Sequence, residues 1–347
     1  MADGVDGLFH QPSWVPKRVD MPGDRKSDAH LSRKTPAFRG STRFPLAACR
    51  AADSRRTFRA PMLWKTRTRT FDLAQRALIM GVVNVTTDSF SDGGQFADPA
   101  SAVTHALRLA SEGAEIIDIG GESTRPGAGS VSEAEEMQRV LPVIERLAAD
   151  AAFRSSRSVL SIDTMKPAVA RAAVAAGAEI INDVTGLRDP AMREVVRESG
   201  AGAITMHMQG TPRDMQAAPH YGDVTAEIRE FFRQTFDGCL RCGIDPLRLA
   251  FDPGIGFGKT LAHNLALIRN LASMRVGERP LVLGVSRKSF IGTVLGTAAA
   301  EDRAWPTVAL TSYGRARGAS VFRVHDVRPN AEALRMTEAI LSPEASA

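Results

Sequence analysis

The chain has 347 residues, of which 44% are hydrophobic and 24% are charged, and its sequence pI is about 9.4. These proportions are typical of a soluble globular protein, and no apolar run approaches the length of a membrane span. Three cysteines are too few for a disulfide framework, so we predict a cytoplasmic protein.

The positive charge of the chain is confined to its N-terminal segment. Residues 1–61 carry 12 Lys and Arg against 6 Asp and Glu, whereas the rest of the chain carries 32 against 33. The body is therefore close to neutral, and we predict neither a nucleic-acid partner nor a membrane partner. The segment is rich in Pro, Arg and Ser and lacks hydrophobic periodicity, which is typical of disorder. We predict a disordered basic extension over residues 1–63, or a misassigned translation start near Met62, and a folded domain over residues 64–347.

From Leu78 onward, short apolar runs alternate with helical patterns. The runs predict eight strands, at Leu78–Val83, Glu115–Ile119, Val159–Ile162, Glu179–Ile181, Ala203–Met206, Leu249–Phe251, Leu281–Val285 and Ser320–Phe322. A helical pattern follows each of them, and Ser132 and Glu135 have the spacing of a capping box. Eight strand–helix units in one domain predict a single (β/α)8 TIM barrel of the α/β class. A doubly wound open sheet uses the same units, but the count of eight and the lack of a GxGxxG after the first strand favour the barrel.

Polar or charged residues follow all eight predicted strands, at the end where barrel enzymes carry their chemistry. One such residue is usually a cap or a turn former, but a complete set indicates a converging site. The residues are Asn84, Glu122, Ser123, Thr124, Arg125, Asp163, Asn182, Asp183, His207, Asp252, Arg287, Lys288, Arg323 and His325. The first of these loops, Asn84–Gly94, places small polar residues around Phe90 and ends in two glycines. It predicts a mobile loop over an anionic, metal-bearing ligand.

Motifs at these strand ends resemble those of the dihydropteroate synthase family. They are Asn84–Gly94 (NVTTDSFSDGG), Gly121–Gly127 (GESTRPG), Ser161–Thr164 (SIDT), Asn182–Val184 (NDV), Met206–Met208 (MHM), Asp252–Lys259 (DPGIGFGK), Ser286–Ser289 (SRKS) and Arg323–His325 (RVH). The resemblance extends from Leu78 to the last helix and leaves the N-terminal segment outside. The family's first loop usually has proline where this chain has Thr87, which predicts a looser loop.

The resemblance implies a transferase of folate biosynthesis that condenses a dihydropterin methyl diphosphate with 4-aminobenzoate and releases diphosphate. Asp163, Asn182 and Asp252 suit the row of N–H donors on the pterin edge, since buried polar groups require partners. Lys288 offers a cation to the ring carbonyl or a ring nitrogen, and Arg287 offers a planar guanidinium to lie over the ring.

The leaving diphosphate requires positive charge and a metal ion. Arg323 and His325 are predicted donors to it, and Asn84 is the predicted protein ligand of Mg²⁺, which commonly takes its other ligands from phosphate and water. With Asp252 and Lys288, these three residues form the predicted catalytic group. If Arg323 serves only the diphosphate, its loss should leave the binding of a pterin without phosphate unchanged.

The resemblance places four residues around 4-aminobenzoate: Thr124, Arg125, Pro126 and Ser289. Thr124 is also expected to contact the pterin diphosphate. We further expect a homodimer. Two alternatives stay open, a catalytically silent pterin-binding paralogue and a reduced-folate methyltransferase on the same barrel, which would have little use for a diphosphate site.

Several other polar residues are predicted to be structural. Gly254–Thr260 resembles a nucleotide phosphate loop, but Pro253 occupies the position where that motif requires glycine. Lys259 is expected to support Asp252 or the nearby loops. Asp118 and Asp183 are expected to support the loops adjacent to them.

Overall fold

The computed structural model describes residues 61–86, 98–124, 129–297 and 299–341. The first described segment is a hairpin of β1 (Leu63–Lys65) and β2 (Thr70–Asp72), which pair antiparallel. Strand β1 begins one residue before the predicted start of the folded domain. The disorder predicted for residues 1–60 lies outside the described residues.

Eight further strands form one parallel sheet in the described part of the chain. They are β3 (Leu78–Asn84), β4 (Ile116–Gly120), β5 (Val159–Asp163), β6 (Ile180–Asp183), β7 (Gly202–Met206), β8 (Leu249–Asp252), β9 (Val282–Leu283) and β10 (Val321–Val324). Their order is β8-β7-β6-β5-β4-β3-β10-β9, and a parallel bridge between Phe251 and Leu281 brings the two edges together. The sheet therefore forms a nearly closed barrel, and the predicted TIM-barrel class is confirmed.

Helices connect successive strands of the barrel. They are α1 (Pro99–Ser111), α2 (Glu133–Ala149), α3 (Ala151–Ser156), α4 (Pro167–Ala176), α5 (Pro190–Ser199), α6 (Val224–Arg241), α7 (Leu261–Arg269), α8 (Ser289–Leu295), α9 (Ala304–Ala316) and α10 (Val327–Leu341). The predicted capping box of α2 is present in one half: the Ser132 side chain accepts a hydrogen bond from the Glu135 backbone N–H, whereas the Glu135 side chain accepts from Arg139. None of the helices within the described ranges is long and apolar enough to cross a membrane.

Strand β9 is shorter than the sequence predicted, because it covers Val282–Leu283 rather than Leu281–Val285. The chain leaves the sheet at Gly284, beside two charged side chains. A Cβ atom at Gly284 would lie 3.5 Å from Asp252 Oδ2 and 3.9 Å from Lys288 Nζ. At the early end of the strand, the Lys288 ammonium therefore lies near the buried carboxylate of Asp252.

The barrel interior is apolar at its N-terminal end and polar at its C-terminal end. The apolar layer consists of Trp64, Leu73, Leu78, Met80, Ile116, Val159, Ile180, Ile204, Ala250, Val282 and Val321. Trp64, from the hairpin, is fully buried there, and its Nε1–H donates to the Arg248 carbonyl at 2.9 Å. Because alternate residues of a strand face the same side, the next inward position on β4, Asp118, already belongs to the polar layer. Polar chemistry is therefore collected at the C-terminal strand ends.

Candidate active site

A cavity of about 720 Å³ opens at the C-terminal end of the barrel. It brings together predicted site residues from five different strand ends or the loops that follow them. These are Asn84, Thr124, Asp163, Arg287, Lys288, Ser289, Arg323 and His325. Asn182 and Asp252 are buried at the ends of β6 and β8 and belong to the polar layer below. The predicted residues Arg125 and Pro126 and most of the loop Asn84–Gly94 lie outside the described residues.

The polar layer contains a network that is centred on Arg323. Its Nε donates to Asp118 Oδ2 at 2.6 Å, and its Nη2 donates to Asp163 Oδ2 at 2.7 Å. Asn182 Nδ2 donates to the same oxygen of Asp118 at 3.1 Å. Arg323 therefore orients residues that were predicted to read the pterin edge. Asp118 supports two side chains on other strands, and not the adjacent loop that the sequence indicated.

The carboxyl of Asp163 has an unusual ionisation. Burial raises its pKa to about 7, since desolvation disfavours the charged form, while the nearby charge of Arg323 opposes this shift. Asp118 and Glu136, which are also acidic, add to the increase. The positive charge of Arg323 therefore favours the ionised form of Asp163, and burial disfavours it.

Asp252 and Lys288 form the second charged group of the polar layer. Asp252 Oδ1 accepts from the Gly254 backbone N–H at 2.7 Å, while Lys288 Nζ donates to the Ile255 carbonyl. Burial lowers the pKa of Lys288 to about 8, and the negative charge of Asp252 acts against that decrease. The ammonium also lies 4.5 Å from the centre of the Phe257 ring, a cation–π distance. A cation, an anion and an aromatic face thus meet at one wall of the cavity.

His325 and Asn84 both line the cavity. His325 Nδ1 is 3.0 Å from Ser286 Oγ, and this hydroxyl also accepts from the His325 backbone N–H at 3.1 Å. The described residues contain no group of three or more His, Cys, Asp or Glu side chains that could hold a metal ion. Asn84 lines the cavity, and its side chain has a single carboxamide oxygen. That donor fits Mg²⁺, which accepts one protein oxygen when phosphate and water supply its other ligands.

Arg287 lines the cavity but is held by another residue. Its Nε and Nη2 donate to the two carboxylate oxygens of Asp326, at 3.0 Å and 2.6 Å. Its backbone has φ of +56°, in the left-handed region, and its N–H donates to Thr307 Oγ1 at 3.1 Å. The guanidinium plane is therefore fixed by a bidentate pair. The stacking of this plane on a pterin ring stays a prediction.

Two residues that were predicted to be structural contact the loops beside them, and one of these, Lys259, also lines the cavity. Asp183 accepts from the backbone N–H groups of Thr185 and Leu187, both at 2.8 Å, and so holds the loop after β6. Lys259 is buried, and its Nζ donates to the Phe257 carbonyl at 2.8 Å. Burial lowers its pKa to about 7. These contacts hold the β8–α7 loop, as expected for a supporting residue.

Sequence reasoning missed residues that shape the cavity from outside the strand ends. Gln216 Nε2 donates to the Gly256 carbonyl at 2.6 Å, and the Gly256 N–H donates to Asn264 Oδ1 at 2.8 Å. Neither side chain follows a strand, so the strand-end rule has no signal for them. Lys166 was also missed, although it follows Asp163 by only three residues and the same rule extended slightly would have found it.

Comparisons with known proteins agree with this geometry. Residues 80–325 match the family model described as "Pterin binding enzyme". Dihydropteroate synthase of Escherichia coli is 45% identical over 264 residues, which are 76% of this chain and 92% of the relative. A solved Xanthomonas albilineans dihydropteroate synthase with 4-aminobenzoic acid has a TM-score of 0.74 and 45% identity, covering 81% of this chain and 99% of that one. Burkholderia cenocepacia dihydropteroate synthase complexed with 7,8-dihydropteroate has a TM-score of 0.73 and 37% identity, with coverages of 83% and 99%.

The barrel and its polar cavity, together with the family match, define the class as pterin-binding barrel enzymes. Within that class the relatives above share one activity name and align over nearly their whole length. The chain belongs to the dihydropteroate synthase family. The resemblance inferred from the strand-end motifs is thereby confirmed.

Proposed function

We propose that the chain condenses (7,8-dihydropterin-6-yl)methyl diphosphate with 4-aminobenzoate to give 7,8-dihydropteroate and diphosphate, as a transferase of folate biosynthesis. One observation carries the proposal: a single cavity is lined by the cations Lys288 and Arg323, and the acceptors Asp163 and Asp252 lie beside them. The solved relatives that bind 4-aminobenzoic acid and 7,8-dihydropteroate support the same pair of reacting molecules.

The pterin edge is assigned to the buried acceptors. Asp163 and Asp252 accept hydrogen bonds from N–H groups of the aminopyrimidinone. The Asn182 carboxamide, which can both donate and accept, pairs with the same edge. Lys288 donates to the ring carbonyl or a ring nitrogen. Asn182 and Asp252 are buried, Asp163 and Lys288 are half-buried, and the pterin edge supplies the hydrogen-bond partners that such groups require.

The diphosphate is assigned to cavity-lining residues that adjoin the pterin acceptors, since Arg323 Nη2 lies 2.7 Å from Asp163 Oδ2. Arg323 and His325 stabilise its negative charge as the bond to the pterin methylene breaks, which is where electrostatic stabilisation acts most strongly. Asn84 is the residue that would hold Mg²⁺, and the bound ion would neutralise charge on the departing oxygens. Arg287, through its fixed guanidinium, is assigned to the face of the pterin ring.

The arylamine is assigned to the outer part of the cavity. Thr124 and Ser289 line it there, while Arg125 and Pro126, also assigned to 4-aminobenzoate, lie outside the described residues. The amine nitrogen attacks the pterin methylene carbon, the carbon–oxygen bond to diphosphate breaks, and the amine releases one proton. No protein nucleophile takes part, so the residues act by binding, orienting and stabilising charge.

Purified protein incubated with both substrates and Mg²⁺ tests the proposal. We expect 7,8-dihydropteroate and diphosphate in equal amounts, and much less of each when Mg²⁺ is chelated. Tight pterin binding without product would indicate the silent paralogue. Methyl transfer from a reduced folate, without diphosphate release, would indicate the methyltransferase.

We propose that residues 64–347 are the catalytic domain and that residues 1–61 are dispensable. Removing residues 1–61 is expected to change turnover by less than about tenfold, or ~1.4 kcal/mol in the barrier. The reason is that, among the described residues, the hydrogen bonds of the hairpin begin at Met62, whose carbonyl accepts from the Leu73 N–H at 2.8 Å. Steady-state rates of both chains give the comparison, and a larger decrease would assign the segment a role in the site. Removing the hairpin as well deletes the buried Trp64 and should cost at least about 3–5 kcal/mol of stability.

We also propose a homodimer that buries the outer faces of α9 and α10. These helices expose apolar side chains, among them Trp305 at 77% and Ile340 at 68% of their surface. Patches of this kind mark interaction sites. The double variant Met336→Glu, Ile340→Glu is expected to sediment as a single chain of 37.3 kDa, while the parent sediments as a dimer. Leu240→Glu, on α6, is the control and should leave the dimer intact; equal behaviour of the two variants would contradict this interface.

We propose a cytoplasmic location on the basis of the cysteines. Cys239 and Cys242 are both free thiols. Free cysteines are typical of a reducing compartment.

A further inference from the structure

Three charged side chains form a cluster beside the cavity, at the ends of β4 and β5. Lys166 Nζ donates to Glu122 Oε2 at 2.5 Å and also to Glu136 Oε2. Glu136 is fully buried, and the side chains of Lys166 and Glu122 are 18% and 12% exposed. The reaction assigned above uses none of the three, so their burial calls for another role.

Glu122 joins the two ends of the β4–α2 connection. While its Oε2 is held by Lys166, its Oε1 accepts from the backbone N–H of Val131 at 3.2 Å. Arg139, on α2, also stabilises the connection, because its Nη1 donates to the Gly121 carbonyl at 2.8 Å. We call the two ends of this connection, Gly121–Glu122 and Val131, its stem. The stem is thus held by contacts from α2 and from Lys166 at the start of α4. Ser123 and Thr124, which follow Glu122 directly, line the cavity.

We propose that Lys166, acting through Glu122, is a positioning residue that sets the place of Thr124 and so tunes the site for 4-aminobenzoate. This inference rests on the proposed function, which assigns Thr124 to that substrate. Lys166 touches neither substrate in this scheme. It acts by fixing the stem of the connection.

Close packing explains why the stem depends on a buried charge. A Cβ atom at Gly121 would lie 2.8 Å from Val140 Cγ1 and 2.9 Å from Glu136 Cγ, so α2 lies directly against the start of the connection. The Glu136 carboxylate is therefore shut off from water, and a buried charge of this kind requires a partner. Lys166 supplies it and shares its charge with Glu122.

The charge of Lys166 persists at neutral pH. Burial alone would lower its pKa, but hydrogen bonds to Glu122 and Glu136 outweigh burial and raise it. The clamp therefore keeps a positively charged Lys166 between Glu122 and Glu136. Glu136 also contributes to the raised pKa of Asp163, so a variant that removes Lys166 also disturbs the pterin side.

Glu122→Gln is the sharper variant for that reason. It leaves the Lys166–Glu136 pair intact and removes only the charge that ties the stem. A glutamine places an NH₂ donor where one carboxylate oxygen stood, so it cannot accept from both Lys166 and the Val131 N–H as the two carboxylate oxygens do. We expect the KM for 4-aminobenzoate to rise about tenfold, as for the loss of one charge-assisted hydrogen bond, while the KM for the pterin diphosphate changes less than about twofold.

Steady-state kinetics with each substrate varied in turn provide the measurement. Lys166→Arg keeps the charge and is expected to retain most of the parent KM, whereas Lys166→Met should raise the KM for 4-aminobenzoate at least as much as Glu122→Gln. Arg171→Met is the matched control, because Arg171 lies on α4 and pairs with Glu198 at the exposed surface. It should leave both KM values unchanged.

The outcomes separate this inference from the proposed function. Absence of turnover in the parent protein would overturn the proposed function and this inference with it. Normal parent turnover with equal changes in both KM values, or none, in a folded Glu122→Gln variant would overturn the positioning role alone. A selective rise in the KM for 4-aminobenzoate supports it.

Discussion

Arg323→Ala is expected to weaken binding of the pterin diphosphate and also of a hydroxymethyl dihydropterin that carries no phosphate. The guanidinium donates to Asp118 and Asp163, and its removal leaves both buried carboxylates without their cation. The pKa of Asp163, already near 7, then rises further, so at pH 7 this residue becomes a protonated carboxyl. Loss of that charged acceptor corresponds to roughly 1.5–3 kcal/mol, or about 10- to 150-fold in affinity for the plain pterin. The affinity for the pterin diphosphate falls by a further factor of comparable size.

Calorimetric titration of the parent and the variant with both ligands distinguishes two roles of Arg323. A loss confined to the diphosphate would mean a leaving-group role alone, as the motif by itself suggested. A loss for both ligands would assign Arg323 to the pterin side as well. Arg233→Ala, at an exposed ion pair on α6, is the control and should change neither affinity.

Asp252→Asn is expected to reduce pterin affinity by about 10- to 150-fold while the fold is retained. In the parent, Oδ1 accepts from the Gly254 N–H, and the other oxygen lies on the side of Lys288. An asparagine must direct its NH₂ group either at that N–H donor or at the ammonium. It also removes the negative charge that keeps the pKa of Lys288 from falling below about 8, so Lys288 loses charge near neutral pH.

Calorimetry with a plain dihydropterin measures this effect, and thermal unfolding verifies that the fold is intact. Asp223→Asn provides the matched control, since Asp223 caps the N-terminus of α6 at the surface and asparagine is an equally good cap. An unchanged affinity in the Asp252 variant would remove Asp252 from the pterin pocket. A melting temperature well below that of the control would show that the loss comes from unfolding instead.

Local pattern was sufficient to predict the barrel and the location of its cavity. A strand that is buried on both faces reads as an apolar run, and its first polar residue marks the C-terminal end. For this reason Asn84, Asp163 and Arg323 were recognised as neighbours although they are far apart in the chain. The rule worked because a parallel barrel brings all strand ends to one side. It failed where residues reach the cavity from loops or helices, as Gln216 and Asn264 do.

The sequence by itself determined the fold class, the strand ends and the family, because each depends on local periodicity or on short motifs. Only the tertiary structure decided which charged groups pair. Arg323 and Asp118 are 205 residues apart, yet they form one of the buried ion pairs of the site. The fully buried Glu136 gives no signal in a helix with three acidic residues in its first turn, and its partner Lys166 lies 30 residues away. Burial and long-range pairing set the pKa of Asp163 and the hold on Glu122, and both arise only when the strands close into a barrel.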